Sequence, residues 1–317
     1  MLRRPGVGLC AFSHWQAGLA RIAVAGKNGG NVQRSPGHPA NALLLIEAAT
    51  ERPSRHPLFG GEAALFSSPS PERRGPNEDA AALLPLGAEA ALLVVADGVG
   101  GSRAGRQAAA LAVQALAAAT QRLTQELRGE TDGPAGGLRG TILDAIERAN
   151  REILSQTAGG ACTLAVVELI GRTMRPYHVG DAAVLLLGQR GRLKTQTVAH
   201  SPVGFALESG MLDERAALLH EERHLVSNVV GAEEMRIEIG APRRLAPRDT
   251  LIVASDGLYD NLRIEEIATL VCRGPLEPAA ELLAAAVGLR MQAAEGAGIA
   301  KPDDLTFILF RPTIVGG

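Results

Sequence analysis

Apolar positions recur with two different periods along residues 62–317, and they predict helices in some segments and strands in others. Residues 105–127 and 138–156 place apolar side chains at helical spacing, with Ile142, Ile146 and Ile153 on one face of the second segment. Further helices are predicted at 213–220, 264–272 and 277–294. Short apolar runs predict strands at 63–67, 80–84, 91–96, 163–170, 174–179, 183–187, 193–198, 236–239, 250–254 and 305–311.

The order of these elements predicts the fold class. Two early helices, many strands and two late helices are typical of an α+β protein and unlike the strict alternation of a doubly wound sheet. Aromatic residues are scarce, with one Trp, two Tyr and six Phe in 317 residues, so we expect a core of Ala, Leu, Val and Ile. Short strands and small core side chains favour two sheets packed face to face with helices outside.

The first 61 residues follow neither period for long. They contain seven basic and two acidic residues and 14 Gly or Pro, and only residues 40–50 have a pattern that predicts a short helix. We interpret residues 1–61 as a poorly ordered extension of a folded domain at 62–317, or as the product of a start codon placed too far upstream. A basic interaction tail is the alternative.

Charge and cysteine content narrow the class of protein. The net charge of −2 argues against a general electrostatic affinity for nucleic acid, and no apolar run approaches the roughly 18 residues of a membrane helix. Cys10, Cys162 and Cys272 are too widely spaced for a disulfide framework or a Cys-x-x-Cys site, which favours a reducing, cytoplasmic location. We expect a monomer that binds neither nucleic acid nor membrane.

Acidic residues stand at the ends of five apolar runs. They are found in Asn77-Glu78-Asp79 before 80–84, Asp97-Gly98 after 92–96, Gly180-Asp181 after 177–179, Asp256-Gly257 after 251–255, and Asp303-Asp304 before 305–309. Each motif alone is usually a turn, a cap or a solvated loop. Five in one chain suggest carboxylates that converge at one side of a sheet, where hard divalent cations such as Mg²⁺ or Mn²⁺ would offset their repulsion. Zinc is disfavoured because no His or Cys set has ligand spacing.

The ordered series of motifs resembles the metal-dependent serine/threonine protein phosphatases of type 2C, the PPM family, and its bacterial branch in particular. The series runs through Arg74-x-x-Asn77-Glu78-Asp79, Ala96-Asp97-Gly98-Val99-Gly100, His178-Val179-Gly180-Asp181, Ser255-Asp256-Gly257 to Asp260, and Asp303-Asp304-Leu305-Thr306, and the likeness covers about residues 62–311. The resemblance implies a four-layer α/β/β/α sandwich of two antiparallel sheets flanked by helix pairs. It also implies hydrolysis of phosphoserine and phosphothreonine in proteins by a metal-activated water, with Mn²⁺ or Mg²⁺ as cofactor.

The resemblance assigns two core ions to five residues. Asp97 would bridge both ions, and the carbonyl of Gly98 would be a further ligand. Glu78 would serve one ion, partly through water, while Asp256 and Asp303 would bind the other.

The resemblance assigns further roles around the core ions. Asp79 would support metal-bound water, and Asp181 with Asp260 would hold a third, weaker ion. Arg74 stands where the family has its phosphate-binding arginine, and neighbouring Arg73 is the alternative one position earlier.

The sequence departs from the family pattern at several positions. Val99 stands where many members have a histidine, and Ala182-Ala183 replaces the usual Ser-Arg after Gly-Asp. Residues 200–231 correspond to the family's variable flap, and Ser201, His220 and His224 are candidates for substrate contact or simple loop polar residues.

Competing functions remain open at this stage. A pseudophosphatase that uses the fold as a binding or regulatory module, and a phosphatase of small phosphate esters, are the alternatives. The expected partners are phosphoprotein substrates, those of a cognate serine/threonine kinase in particular.

Overall fold

Two antiparallel β-sheets face each other in this chain, and helices cover the outer face of each. The computed structural model describes residues 42–72, 75–100, 103–126, 137–293 and 300–313. Within these residues the strands are β1 (Leu43–Ile46), β2 (Ser54–Leu58), β3 (Gly61–Ser68), β4 (Ala80–Leu86), β5 (Ala90–Val99), β6 (Ala161–Ile170), β7 (Thr173–Val179), β8 (Ala183–Leu187), β9 (Leu193–Gln196), β10 (Glu238–Ile239), β11 (Arg243–Arg244), β12 (Thr250–Ala254) and β13 (Leu305–Pro312). The helices are α1 (Arg103–Glu126), α2 (Leu138–Gln156), α3 (Pro202–Glu208), α4 (Glu214–Leu218), α5 (Asp256–Tyr259), α6 (Ile264–Val271) and α7 (Leu276–Met291).

The strands divide between the sheets without regard to chain order. The first sheet has the order β1–β4–β5–β6–β7–β10, with β11 also paired to β7, and the second has the order β2–β3–β13–β12–β8–β9. All pairings are antiparallel. Strands that are far apart in the sequence therefore end side by side.

Strand β5 shows how one sheet can serve two cores. Its side chains alternate, so that Leu92 and Val94 face the cluster containing α1 and α2 while Leu93 and Val95 face the second sheet. All four are fully buried, which explains why this strand reads as an uninterrupted apolar run.

Four layers result from this packing. Helices α1 and α2 cover the first sheet, and α6 and α7 cover the second. The buried face of α1 is rich in alanine, including Ala108, Ala109 and Ala112, and these small side chains let the helix lie close to the sheet. The expected α/β/β/α sandwich is therefore confirmed.

The sheets extend into residues 42–61, which were predicted to belong to a poorly ordered extension. Strand β1 pairs with β4, and β2 pairs with β3. The segment around Leu44 is a strand rather than the expected short helix, because Leu44 faces one core while Leu43 and Leu45 face the other. The boundary predicted after residue 61 thus falls inside the folded part of the chain. Residues 1–41 lie outside the described residues, and the expectation for them stays a prediction.

Other elements match the predictions within a few residues, but short ones were missed. Helices α3 and α5 and strand β11 have no counterpart among the predicted elements, and the strand expected at 193–198 ends at Gln196. Within the described ranges, no helix has both the length and the apolar character needed to cross a bilayer.

Candidate active site

The acidic motifs converge at one end of the sandwich, between the two sheets. Asp97 lies near the end of β5, Asp181 follows β7, and Asp256 opens α5 directly after β12. The Asp97 carboxylate lies close enough to four other carboxylates to interact with them electrostatically: Asp79, Asp181, Asp256 and Asp303. The structure thus brings together carboxylates carried by both sheets.

A close approach between β5 and α1 positions Asp97 and Gly98. A Cβ atom on Gly98 would lie 2.6 Å from the carbonyl carbon of Gly105 in the first turns of α1, and one on Gly105 would lie 2.5 Å from the carbonyl oxygen of Val99. Two glycines are therefore required where the strand meets the helix. This contact fixes the backbone of Asp97 and Gly98 at the C-terminal end of β5.

A second close approach positions Asp256. A Cβ atom on Gly257 would collide with the carbonyl oxygen of Asp304, so the first turn of α5 can pack against the start of β13 only with glycine at this position. The backbone N–H of Ser255 donates to the carbonyl of Thr306 at 3.0 Å, and the Ser255 hydroxyl donates to Asp79 Oδ2 at 2.8 Å. Asp256 and Asp79 are thereby tied to neighbouring positions.

Asn77 anchors the loop that carries Glu78 and Asp79. Its Nδ2 donates to the Ala48 carbonyl at 2.9 Å and to Ser67 Oγ at 2.8 Å, and its Oδ1 accepts from the backbone N–H of Asp79 at 2.9 Å. Asn77 is 1% exposed. A buried amide with these three partners fixes the loop against β3 and the segment that follows β1.

Asp304 has no role predicted from the sequence, and the structure gives it one. Its Oδ1 accepts from the backbone N–H of Ser70 and its Oδ2 accepts from that of Glu78, both at 2.7 Å. It is 4% exposed. The second aspartate of the Asp303-Asp304 pair therefore positions the Glu78 loop, and the doubled carboxylate was the only sequence signal.

Lys301 is a second residue without a predicted role that the structure places at the site. Its Nζ lies 2.5 Å from Asp256 Oδ2, 2.6 Å from Asp260 Oδ2 and 3.3 Å from Asp303 Oδ2. A lysine two residues before an acidic pair was the available signal.

The cluster contains more carboxylates than the single positive charge of Lys301 can neutralise. Burial, together with the charges of Asp79 and Asp256 among others, raises the pKa of Asp97 well above its usual range, and burial beside Asp304 does the same for the pKa of Asp79. Burial is also the main reason why the pKa of Asp181 rises to about 8 and that of Asp260 to about 7.

Asp256 is the exception among these acids. Burial alone would raise its pKa, but Lys301 and hydrogen bonds with the carboxyls of Asp97 and Asp260 outweigh that effect and bring the pKa below its usual value. Asp256 is therefore the most readily ionised carboxylate of this group.

The donor set fits hard divalent cations. The clustered groups are carboxylates and main-chain carbonyls, which are the ligands that Mg²⁺ and Mn²⁺ prefer. Asp79 Oδ1 is buried and has no hydrogen-bond partner among the described residues, and repulsion between buried carboxylates is relieved by bound cations.

The flap, residues 200–231, packs beside this site over a cavity of about 200 Å³. One wall of the cavity is acidic and the flap contributes mainly apolar side chains; its lining includes Asp181, Asp256, Asp260, Val203, Leu207 and Leu218. The end of the flap is fixed to β6 by a bridge between Val230 and Cys162.

The three flap residues predicted as candidates for substrate contact differ in position. Ser201 lines the cavity, but its hydroxyl caps α3 by accepting from the Gly204 N–H at 2.9 Å. His220 Nδ1 accepts from the backbone N–H of Glu222 at 3.1 Å, and His224 is exposed.

His200 forms a separate cluster with His178 and Glu238 at the base of the flap. The His200 Nδ1 atom accepts from the Gly180 N–H at 3.0 Å and from Asn228 Nδ2 at 2.8 Å, and its Nε2 faces Glu238 at 3.1 Å. A metal-binding histidine donates its other ring N–H outward, whereas this ring accepts there. His200 therefore ties the base of the flap to Gly180 and Asn228 by hydrogen bonds.

Arg74, the predicted phosphate contact, lies outside the described residues, as does Arg73. The remaining predicted site residues all lie at the same end of the sandwich: Glu78, Asp79, Asp97, Gly98, Asp181, Asp256, Asp260 and Asp303.

Comparison with known proteins agrees with the fold. A putative protein phosphatase 2C-type protein of Streptococcus pyogenes is 28% identical over 186 residues, which are 57% of this chain and 72% of that protein. The structure of the S. agalactiae serine/threonine phosphatase superposes with a TM-score of 0.65 at 26% identity, covering 79% of this chain and 99% of that one.

PstP is a third relative. The Mycobacterium tuberculosis protein is 28% identical over 200 residues, 61% of this chain but 36% of its own length. The structure of the PstP catalytic domain in complex with two manganese ions superposes with a TM-score of 0.60 at 25% identity. The match covers 80% of this chain and 98% of that one. The family model described as protein phosphatase 2C matches residues 71–288. This chain belongs to the protein phosphatase 2C family.

Proposed function

We propose that this protein removes phosphate from phosphoserine and phosphothreonine in proteins, with Mn²⁺ or Mg²⁺ as its cofactor. The observation that carries this function is the convergence of buried carboxylates from both sheets around Asp97. Relatives named serine/threonine phosphatases support the substrate class, and the two manganese ions of PstP support the cofactor.

Five residues are proposed to hold two core ions. Asp97 would contact both, the Gly98 carbonyl and Glu78 would complete one site, and Asp256 with Asp303 would complete the other. Bound divalent cations supply positive charge for phosphoryl oxygens and lower the pKa of water to near neutrality.

The surrounding residues keep this arrangement in place. Ser255 holds Asp79 through a 2.8 Å hydrogen bond, and Asp79 would accept a hydrogen bond from a water bound at the core ions. Asp304 holds the Glu78 loop. Arg74 is proposed to bind the phosphate of the substrate through charge-assisted hydrogen bonds.

The proposal extends to the protein substrates and to the cellular location. The substrates would be phosphoproteins made by a cognate serine/threonine kinase, and the protein would act on them in cytoplasmic signalling. It would be a monomer that binds neither nucleic acid nor membrane. The net charge of −2 and the two described cysteines, both free, support this setting.

The deciding experiment measures phosphate release from a phosphopeptide panel and from small phosphate esters, with Mn²⁺ or Mg²⁺ and with excess chelator. We expect metal-dependent release from the peptides, near-complete loss in Asp97→Asn, and full activity in Asp144→Asn, which changes an exposed acid on α2. Release that persists in chelator would refute the proposal. Faster turnover of small esters than of peptides would favour the small-molecule alternative, and no turnover with bound metal would favour the pseudophosphatase.

A further inference from the structure

Lys301 places a positive charge inside the acid cluster. Its ammonium group contacts three carboxylates, with Asp256 and Asp260 at 2.5 and 2.6 Å and Asp303 farther away at 3.3 Å. The side chain is 20% exposed, and those of Asp256 and Asp260 are each 17% exposed. Lys301 is thus centred on the Asp256–Asp260 end of the cluster.

The main chain holds Lys301 in this position. Its backbone N–H donates to Asn261 Oδ1 at 2.9 Å, and its carbonyl accepts from Asn261 Nδ2 at 2.9 Å. The same Nδ2 donates to the Gly257 carbonyl at 3.0 Å, and Asn261 is fully buried. A buried amide thus fastens the Lys301 backbone to the turn that carries Asp256 and Asp260.

The flap adds a further connection. Arg223 donates through Nη2 to the carbonyl of Ala300 at 3.1 Å and through Nη1 to that of Leu218. The residue before Lys301 is therefore also held by the flap, and the lysine is preorganised toward the acids.

An ammonium group and a divalent cation exclude each other at these oxygens. Mg²⁺ binds oxygen at about 2.0–2.1 Å, so an ion on Asp256 Oδ2 and Asp260 Oδ2 would lie in contact with the Nζ atom that already binds both. Two cations at that separation repel strongly in a buried site.

We propose that Lys301 is an internal cation that takes the place of a third divalent ion at the Asp256–Asp260 end, so that this phosphatase binds two ions. The inference rests on the proposed function only in requiring that the cluster bind metal. It revises the role that the family resemblance assigned to Asp181 and Asp260, since Asp260 would bind the lysine.

The test counts Mn²⁺ ions in the full chain, by calorimetry and by electron paramagnetic resonance of free Mn²⁺, up to millimolar metal. We expect two ions for the unaltered protein and two for Asp260→Asn. Lys301→Met should gain a third ion, or bind one about tenfold or more tighter than any weak third event of the unaltered protein. It should also melt at a lower temperature in chelator, because three carboxylates lose their counter-ion.

Lys194→Met is the matched control, because Lys194 binds both oxygens of the buried Asp249 at 2.7 Å away from the cluster. It should not change the number of ions. A third ion in the unaltered protein that is lost in Asp260→Asn would overturn the proposal. So would two ions of tightened affinity in Lys301→Met, since Lys301 would then compete with a core ion.

If Lys301→Met does not fold, the comparison of the unaltered protein with Asp260→Asn decides alone. Two bound ions without peptide hydrolysis would refute the proposed function and leave the Lys301 assignment standing. Failure to bind any metal would refute both.

Discussion

The Asp304 carboxylate accepts a 2.7 Å hydrogen bond from the backbone N–H of Glu78, although 226 positions separate the two residues in the chain. Asp304 precedes β13 of the second sheet, and Glu78 precedes β4 of the first. One buried side chain therefore joins the two sheets at the end of the sandwich where the proposed metal ligands meet.

Replacing Asp304 should damage both stability and metal binding. Asp304→Ala leaves the backbone N–H groups of Ser70 and Glu78 without their acceptor, at a cost of about 1–3 kcal/mol for each buried group. We expect a lower midpoint in denaturant, weaker Mn²⁺ binding by calorimetry, and partial rescue in Asp304→Asn, which keeps one acceptor oxygen. Unchanged Mn²⁺ affinity in a folded Asp304→Ala protein would show that the Glu78 loop does not depend on it.

The stability of the metal-free protein should fall as the pH rises. Burial raises the pKa of Asp181 to about 8 and that of Asp260 to about 7, whereas unfolded aspartates titrate near 4. Between these values the folded state binds more protons than the unfolded state, so the free energy of unfolding decreases with pH.

Thermal melts in chelator from about pH 4.5 to 8.5 test this directly. Asp181→Asn should flatten the profile, Asp144→Asn should leave it unchanged, and saturating Mn²⁺ should restore stability at high pH. A metal-free melting temperature that increases across this range would contradict the raised pKa values.

Two truncations should separate the first 41 residues from strands β1 and β2. Removal of residues 1–61 deletes two edge strands, including the buried Leu43 and Leu44, and takes away the Ala48 carbonyl that accepts from Asn77. We expect a large loss of melting temperature and of peptide hydrolysis. Removal of residues 1–41 leaves these contacts in place, and we expect little change. Equal stability of the two truncated proteins would show that β1 and β2 contribute little.

Arg74 is predicted to bind the substrate phosphate. Charge-assisted hydrogen bonds contribute about 1.5–3 kcal/mol, so Arg74→Ala should raise KM for a phosphopeptide by about tenfold or more while Mn²⁺ affinity stays the same. Arg73→Ala is the control that resolves the one-position ambiguity. If Arg73→Ala alone raises KM, the phosphate contact is Arg73.

The class of the fold and the acidic motifs at the strand ends were predicted from the amino-acid pattern alone. Helix α2 and strand β12 were predicted with their observed bounds. One buried face gives α2 a clear helical period, whereas β12 is buried on both faces and is a continuous apolar run. The motifs around Asp97 and Asp256 were readable because an acid directly after a buried strand is chemically unusual.

Other features depended on contacts between distant parts of the chain. Strand β1 lies among Gly- and Pro-rich sequence, and its four apolar residues read equally well as a helix until the two cores assign alternate side chains to different faces. In the sequence Asp304 is the second half of an acidic loop motif. Only its hydrogen bond with the backbone of Glu78 shows that it positions the Glu78 loop. Lys301 is one of three lysines in the chain, and its local sequence alone predicts no role for it. It is significant because the tertiary structure places the carboxylates of residues 256, 260 and 303 around its Nζ atom, and this charge balance exists only once separate parts of the chain have come together.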